Sequence, residues 1–271
     1  MTRYDFIMDR VKEHYDEAVS LGFEVVGVFL QGSQNYNLDC YDAEYQSDID
    51  TKAIILPSFE DVVNGDAPYS HTHVRANNEH IDIKDIRQMF DMFEKQNNAY
   101  VEILFTDFKV VNPKYSDLVD ELLSWNDAIA RYDSNQALRC FSGTSMEKYK
   151  ALEHPYPTTM AKIDKFGYDP KQLHHILRLN DMMAKYAAGK PYKECLVPDD
   201  AEYLIKVKKG LYGLDEARVK AKEGDDLNKK IKDDNLKTPE PVHPEVKTFL
   251  DDLKVKFIRR FLIEELSGGK K

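Results

Sequence analysis

Three segments in the first third of the chain carry strand patterning, and the turn chemistry around them leaves few folds open. Phe23-Glu24-Val25-Val26-Gly27-Val28-Phe29-Leu30 is apolar and β-branched and ends at Gln31-Gly32-Ser33, which predicts a buried strand feeding a sharp, small-residue loop. Ile49-Asp50-Thr51-Lys52-Ala53-Ile54-Ile55-Leu56-Pro57 predicts a second strand, whose period of two puts Asp48 and Asp50 on one face and Ile49 on the other. Glu79-His80-Ile81-Asp82-Ile83-Lys84-Asp85-Ile86 alternates as a third. There Ile81 and Ile83 point inward and Asp82 faces the same way as His80 and Lys84.

Each piece has chemical consequences. Glycine lets a backbone approach a ligand closely, and successive N–H groups with the Ser33 hydroxyl can donate to phosphate oxygens. Two carboxylates side by side repel and raise one another's pKa unless a cation sits between them, and their hard oxygens suit Mg²⁺ or Mn²⁺. A third shared carboxylate is what two metal ions need to clamp the attacking and leaving oxygens of an in-line phosphoryl displacement. Asp82 is the candidate for that ligand and for the base.

In this order (apolar strand, Gly32-Ser33, Asp48-x-Asp50, a third acid on a neighbouring strand) the pattern resembles the DNA polymerase β-like nucleotidyltransferase superfamily. More narrowly, Gln31-Gly32-Ser33-Gln34-Asn35-Tyr36-Asn37-Leu38, Ser47-Asp48-Ile49-Asp50-Thr51-Lys52-Ala53-Ile54, Ile83-Lys84-Asp85-Ile86 and the stretch 97–105 resemble its RNA repair pathway DNA polymerase beta family branch. The likeness is strongest over 25–105 and continues through the helical stretch 167–179; the acidic spacer 39–46 departs from it. The resemblance implies an NTP donor bound through Gly32, Ser33 and Ser47, a metal on Asp48, Asp50 and Asp82, and an RNA acceptor, either a 3′ end or a transfer RNA.

The 271 residues, 42% hydrophobic and 32% charged, are enough for one large domain or two small ones. No apolar run approaches the roughly 20 residues of a membrane span, and Met1-Thr2-Arg3-Tyr4-Asp5-Phe6 is too charged for a signal peptide, so the expected location is cytoplasmic. Cys40, Cys140 and Cys195 are scattered and odd in number, supporting neither a disulfide partner nor a zinc cluster. The net charge of −10 is uneven: from Cys140 onward 26 Lys and Arg face 22 Asp and Glu, whereas 12 face 26 before it. Divalent cations suit the acidic part, and a polyanionic substrate needs the more basic one.

Thr2 is a predicted N-cap, followed by Ile7, Met8, Val11, Ala18 and Val19 at helical spacing. His71-Thr72-His73 has no third donor nearby and reads as a surface loop or short strand. Ile86, Met89, Phe90 and Phe93 form a core stripe on a helix over 85–97, while the apolar segment 101–105 is ambiguous in type. Helices are expected over 135–152, 169–189, 198–210, 214–232 and 244–266, the last packing on the helical bundle, with a frayed tail at 267–271. The expected architecture is therefore α/β: a mixed-sheet polymerase β-like nucleotidyltransferase domain over 1–133, then a helical domain over 134–271.

Two constellations in the helical half can complete a nucleotide site. Ser142-Gly143-Thr144-Ser145 lies ahead of Lys148 and Lys150, and His174, His175 and Arg178 share a helix face. Lysine runs such as Lys206-Val207-Lys208-Lys209 read as solubilising faces. The expected activity is metal-dependent transfer of a nucleoside monophosphate from an NTP to an acceptor hydroxyl with release of pyrophosphate, an EC 2.7.7 type reaction. The alternatives are nucleotidylation of a protein or small molecule, and a non-catalytic nucleotide-binding regulator.

Overall fold

The computed structural model describes residues 2–42 and 45–268. The chain forms two compact units, one of Met1–Asn35, Asp48–Tyr132 and Val242–Lys271, the other of Tyr36–Ser47 and Asp133–Pro241.

The first unit is α/β and built on a five-stranded mixed sheet, β1 (Val25–Gln31), β2 (Asp50–Ile55), β3 (Ser70–Val74), β4 (His80–Asp85) and β5 (Lys109–Val111), in the order β3-β4-β2-β1-β5. β1 runs antiparallel to β2 and β5, β4 is parallel to β2, and β3 returns antiparallel beside β4. The helix Arg3–Ser20 starts at Thr2, whose side chain and that of Asp5 form a reciprocal capping box. Its Ile7, Val11 and Ala18 pack with Val28, Leu30, Ile49, Ala53, Ile55, Ile81 and Ile83 of the sheet. Strand alternation therefore turns Asp50 and Lys52 of β2, and His80, Asp82 and Lys84 of β4, to the opposite face.

The C-terminal helix Pro244–Gly268 belongs to this unit and does not join the helical bundle expected from the sequence. Its stripe Val246, Leu250, Leu253 and Phe257 is buried, and Phe257 meets Phe90 and Tyr115 at ring distances of 6.4 and 6.0 Å. Phe249 stacks on Trp125 at 4.3 Å. Each buried apolar side chain is worth about 1.5–3 kcal/mol, so the stripe goes where aromatic surface awaits it. The helix continues through Ser267 and Gly268, which the sequence predicts to fray, and 269–271 lie outside the described residues.

The second unit packs the helices Ser134–Ala151, Pro170–Ala187, Ala201–Lys208 and Leu214–Asn235 around Leu152, Tyr168, Leu173, Ile176, Val207, Ala217 and Ala221. Asp169 caps the second of these with Pro170 in its first turn. Ser145, Asp225 and Asn228, all buried, close a polar network: Ser145 Oγ donates to Asp225 Oδ1 at 3.0 Å, and Asn228 Nδ2 donates to Ser145 Oγ at 2.9 Å. Gly224 lets the helices Leu214–Asn235 and Pro170–Ala187 approach, since a Cβ there meets Ile176 Cγ2 at 2.8 Å. Gly224→Ala should therefore cost about 1–2 kcal/mol despite the better helix propensity of alanine, read as a lower urea midpoint.

Candidate functional site

The candidate residues divide between the two units: Gly32, Ser33, Asp48, Asp50 and Asp82 lie in the first, and Ser47, Lys148, Lys150, His175 and Arg178 in the second. Within the first unit, antiparallel register sets Gln31 of β1 opposite Asp50 of β2. The Gly32 turn and the Asp48-x-Asp50 acids thus share one end of a strand pair. Gly32 adopts φ +99°, a left-handed conformation that favours glycine, and Ser33–Tyr36 follows as a turn of 3-10 helix.

Neighbouring side chains hold this turn from several sides. Gln34 Nε2 donates to Asp48 O at 2.8 Å, Arg3 to Gln34 O at 3.0 Å and Asn35 Nδ2 to Leu30 O at 3.0 Å. The Gly32 N–H, expected from the sequence to face phosphate, donates to Glu102 Oε1 at 3.0 Å. Glu102 is 7% exposed on the 3-10 turn Glu102–Phe105, the segment whose type the sequence left ambiguous. Its importance was hidden because its contact spans seventy positions of the chain.

The acids differ sharply in their company. Asp48 is exposed, two residues ahead of β2, and its carboxylate has no hydrogen-bond or ion-pair partner among the described residues. Asp50 opens β2 half-buried; its Oδ1 accepts the His80 N–H at 2.9 Å and lies 3.3 Å from His80 Nδ1. Asp82, by contrast, is surrounded by donors. Lys52 Nζ reaches its Oδ2 at 2.8 Å, while Thr72 Oγ1 and Lys84 Nζ reach its Oδ1 at 2.6 and 3.2 Å.

Lys52 is 3% exposed and its ammonium lies 4.3 Å from the centroid of the Tyr100 ring. Burial pushes the Lys52 pKa down, and Asp82 restores it only in part. For Asp82, burial acts upward but is outweighed by the Lys52 charge, the hydrogen bonds from Lys52 and Thr72, and Lys84, leaving it below the ordinary carboxylate value. A carboxylate held low is a weak base at neutral pH.

No group of three or more His, Cys, Asp or Glu side chains that could hold a metal ion occurs among the described residues. The hard oxygens of Asp48 and Asp50, one of them unpartnered, fit a divalent cation. Asp82 does not fit as a third ligand in this arrangement, because both of its oxygens are engaged by Lys52, Lys84 and Thr72. His71 and His73 do not form a metal pair either: His73 Nε2 lies 2.7 Å from Glu17 Oε1, and His71 lies beside Tyr69.

In the second unit, the spacer between the two motifs is tied to the helices. Ser47 N donates to Cys40 O at 2.8 Å and Cys40 N to Ser47 Oγ at 2.9 Å. Lys208, 6% exposed, donates to Leu38 O at 3.2 Å and to Ser47 Oγ at 3.4 Å, so it is a loop anchor where its sequence context suggested a solubilising face. Ala43 and Glu44 of the spacer lie outside the described residues.

Arg178 is buried with its guanidinium 4.2 Å from the centroid of the Tyr36 ring. The imidazole of His174 lies 2.9 Å from Leu204 O, and burial lowers its pKa to about 3. Burial also holds His175 neutral, in the field of His174, Arg178, Lys171 and Lys148. Lys150 is exposed. Ser145 serves the buried network, and Thr144 Oγ1 donates to Cys140 O at 2.9 Å, so these hydroxyls do not present themselves to a triphosphate. No protein-family model matches the chain, and no curated protein matches it.

Proposed function

We propose that the chain is a cytoplasmic, metal-dependent nucleotidyltransferase that moves a nucleoside monophosphate from an NTP to an acceptor hydroxyl, with RNA (a 3′ end or a transfer RNA) as the acceptor. The observation that carries this reading is the register of β1 against β2, which brings the Gly32 turn and the Asp48-x-Asp50 acids to one strand end. The resemblance to the polymerase β-like superfamily, and to its RNA repair branch, supports the same reading.

In this reading Asp48 and Asp50 hold Mg²⁺ or Mn²⁺, and the bound cation neutralises phosphate charge. The Ser33 hydroxyl donates to the triphosphate. Gln34 keeps the turn and Asp48 in a fixed relation through its hydrogen bond to Asp48 O. The acceptor hydroxyl forms a bond to the α-phosphorus, the bond to the β-phosphate oxygen breaks, and pyrophosphate leaves while the hydroxyl proton passes to solvent. In the second unit, Lys148, Lys150, His175 and Arg178, together with Ser47, are the residues assigned to nucleotide or RNA phosphate.

A second reading, a regulator that binds nucleotide without transferring it, draws support from the capture of the Gly32 N–H by Glu102 and of Asp82 by lysines. One experiment separates them. The protein is incubated with Mg²⁺, each α-labelled NTP in turn and total RNA, with Asp48→Ala/Asp50→Ala as control. Label in RNA that disappears in the double variant supports the transferase. Label confined to protein or small molecules moves the acceptor to those classes, and nucleotide binding without any label favours the regulator.

A further inference from the structure

The face of the sheet that carries the candidate acids is not an acidic patch. Along β2 and β4 the residues turned to it run Asp50, Lys52 and Asp82, Lys84, so each carboxylate is followed two positions later by a lysine. Parallel register sets Lys52 directly beside Asp82. The two lysines are buried, and Lys84 Nζ also donates to Ser70 Oγ at 2.8 Å. Buried ammonium groups are costly unless their geometry is good and their charge is met. Lys52 has both: a 2.8 Å contact to Asp82 and the face of Tyr100 at 4.3 Å.

Resting on the transferase reading above, we infer that Lys52 takes the place of a second divalent cation: paired with Asp82 and backed by Lys84, it leaves one cation position, at Asp48 and Asp50. Charge balance supports this. Three carboxylates, two ammonium groups and one divalent cation carry the same net charge as three carboxylates with two divalent cations, the usual complement of a two-metal phosphoryl-transfer site. The field offered to a triphosphate is preserved while the ligand count falls. Asp82 then acts as the counter-ion that orients Lys52, and Lys52 supplies the second positive charge of the site from beneath its surface.

The test counts cations and does not depend on turnover. Mn²⁺ binding is followed by electron paramagnetic resonance in the presence of each α,β-methylene NTP, for the intact protein and for Lys52→Met, Asp82→Asn and Lys52→Met/Asp82→Asn. The expected result is one Mn²⁺ per chain for the intact protein and two for Lys52→Met, where Asp82 Oδ2 loses its lysine partner and becomes available while Thr72 and Lys84 stay on Oδ1. The double variant, which removes the pair as a neutral unit, should keep one Mn²⁺ with affinity changed by less than about tenfold, below the losses that follow damage to a metal ligand or its support. Two Mn²⁺ in the intact protein, or a loss of binding beyond that limit in the double variant, overturns the inference and leaves the transferase reading standing. Absence of both Mn²⁺ and nucleotide binding in the intact protein overturns the two together. A variant that fails to fold is recognised by its melting curve, and the count on the intact protein then decides alone.

Discussion

In the proposed transferase, Asp50→Asn should lower nucleotidyl transfer by on the order of 10³-fold while leaving the fold intact. The size follows from losing about 4 kcal/mol of charge stabilisation in the transition state when one carboxylate of a hard-cation site becomes an amide. The preserved fold follows from the contact that Asp50 makes outside that role. Its Oδ1 accepts the His80 N–H at 2.9 Å, and the amide oxygen of asparagine accepts the same bond. The measurement is label transfer from an α-labelled NTP beside a urea unfolding curve. An unchanged urea midpoint with activity reduced less than about tenfold would remove Asp50 from the reacting centre. A fall in both would mean that the residue is structural.

The largest effect on stability should come from the other face of the sheet. Glu79 meets His14, Arg10 and Arg75: its Oε2 lies 2.9 Å from His14 Nε2, 2.6 Å from Arg10 and 3.0 Å from Arg75. His14 Nδ1 in turn lies 2.9 Å from Thr51 Oγ1, which ties the first helix to β2 next to Asp50. Glu13 and Glu17 complete the cluster through Arg10 and Arg75. Burial by itself raises the Glu79 carboxyl, but the hydrogen bonds from His14, Arg10 and Asn77 and the Arg10 charge outweigh it and bring its pKa down from 4.5 to about 2.

A carboxyl with a depressed folded-state pKa stabilises the fold at pH above its unfolded value, and that contribution is lost as the pH falls through the folded value. For Glu79 the window runs from about 4.5 down to about 2. Glu79→Gln should therefore lose about 3 kcal/mol above pH 5, a figure set by the size of the shift. The gap between the variant and the intact protein should close progressively below that pH. Urea unfolding at pH 7, 4 and 2.5 checks it, and a gap that stays constant with pH would assign the loss to packing and not to charge.

The strands and the Gly32 turn could be read from the sequence because their causes are local. β-branched runs, a period of two and a glycine at a strand end act over a few residues; the observed β2 and β4 fall inside the segments so identified, and β1 runs one residue past its own, through Gln31. The helix cap at Thr2 is local in the same sense. The apolar stripe of the last helix was also visible, but a stripe states only that a face will be buried. Its destination depended on Phe90, Tyr115 and Trp125, which lie far away along the chain.

The same division runs through the candidate site. The sequence by itself determined which chemistry-bearing residues stand at strand ends and which face of each strand they take, because both follow from turn residues and alternation. The company those residues keep was decided only by the tertiary structure: Lys52 beside Asp82, Glu102 on the Gly32 N–H, Lys208 on Leu38 O and Ser47 Oγ. Each of these pairings depends on strand register or on chain segments meeting from afar. Periodicity along a single segment carries no record of either.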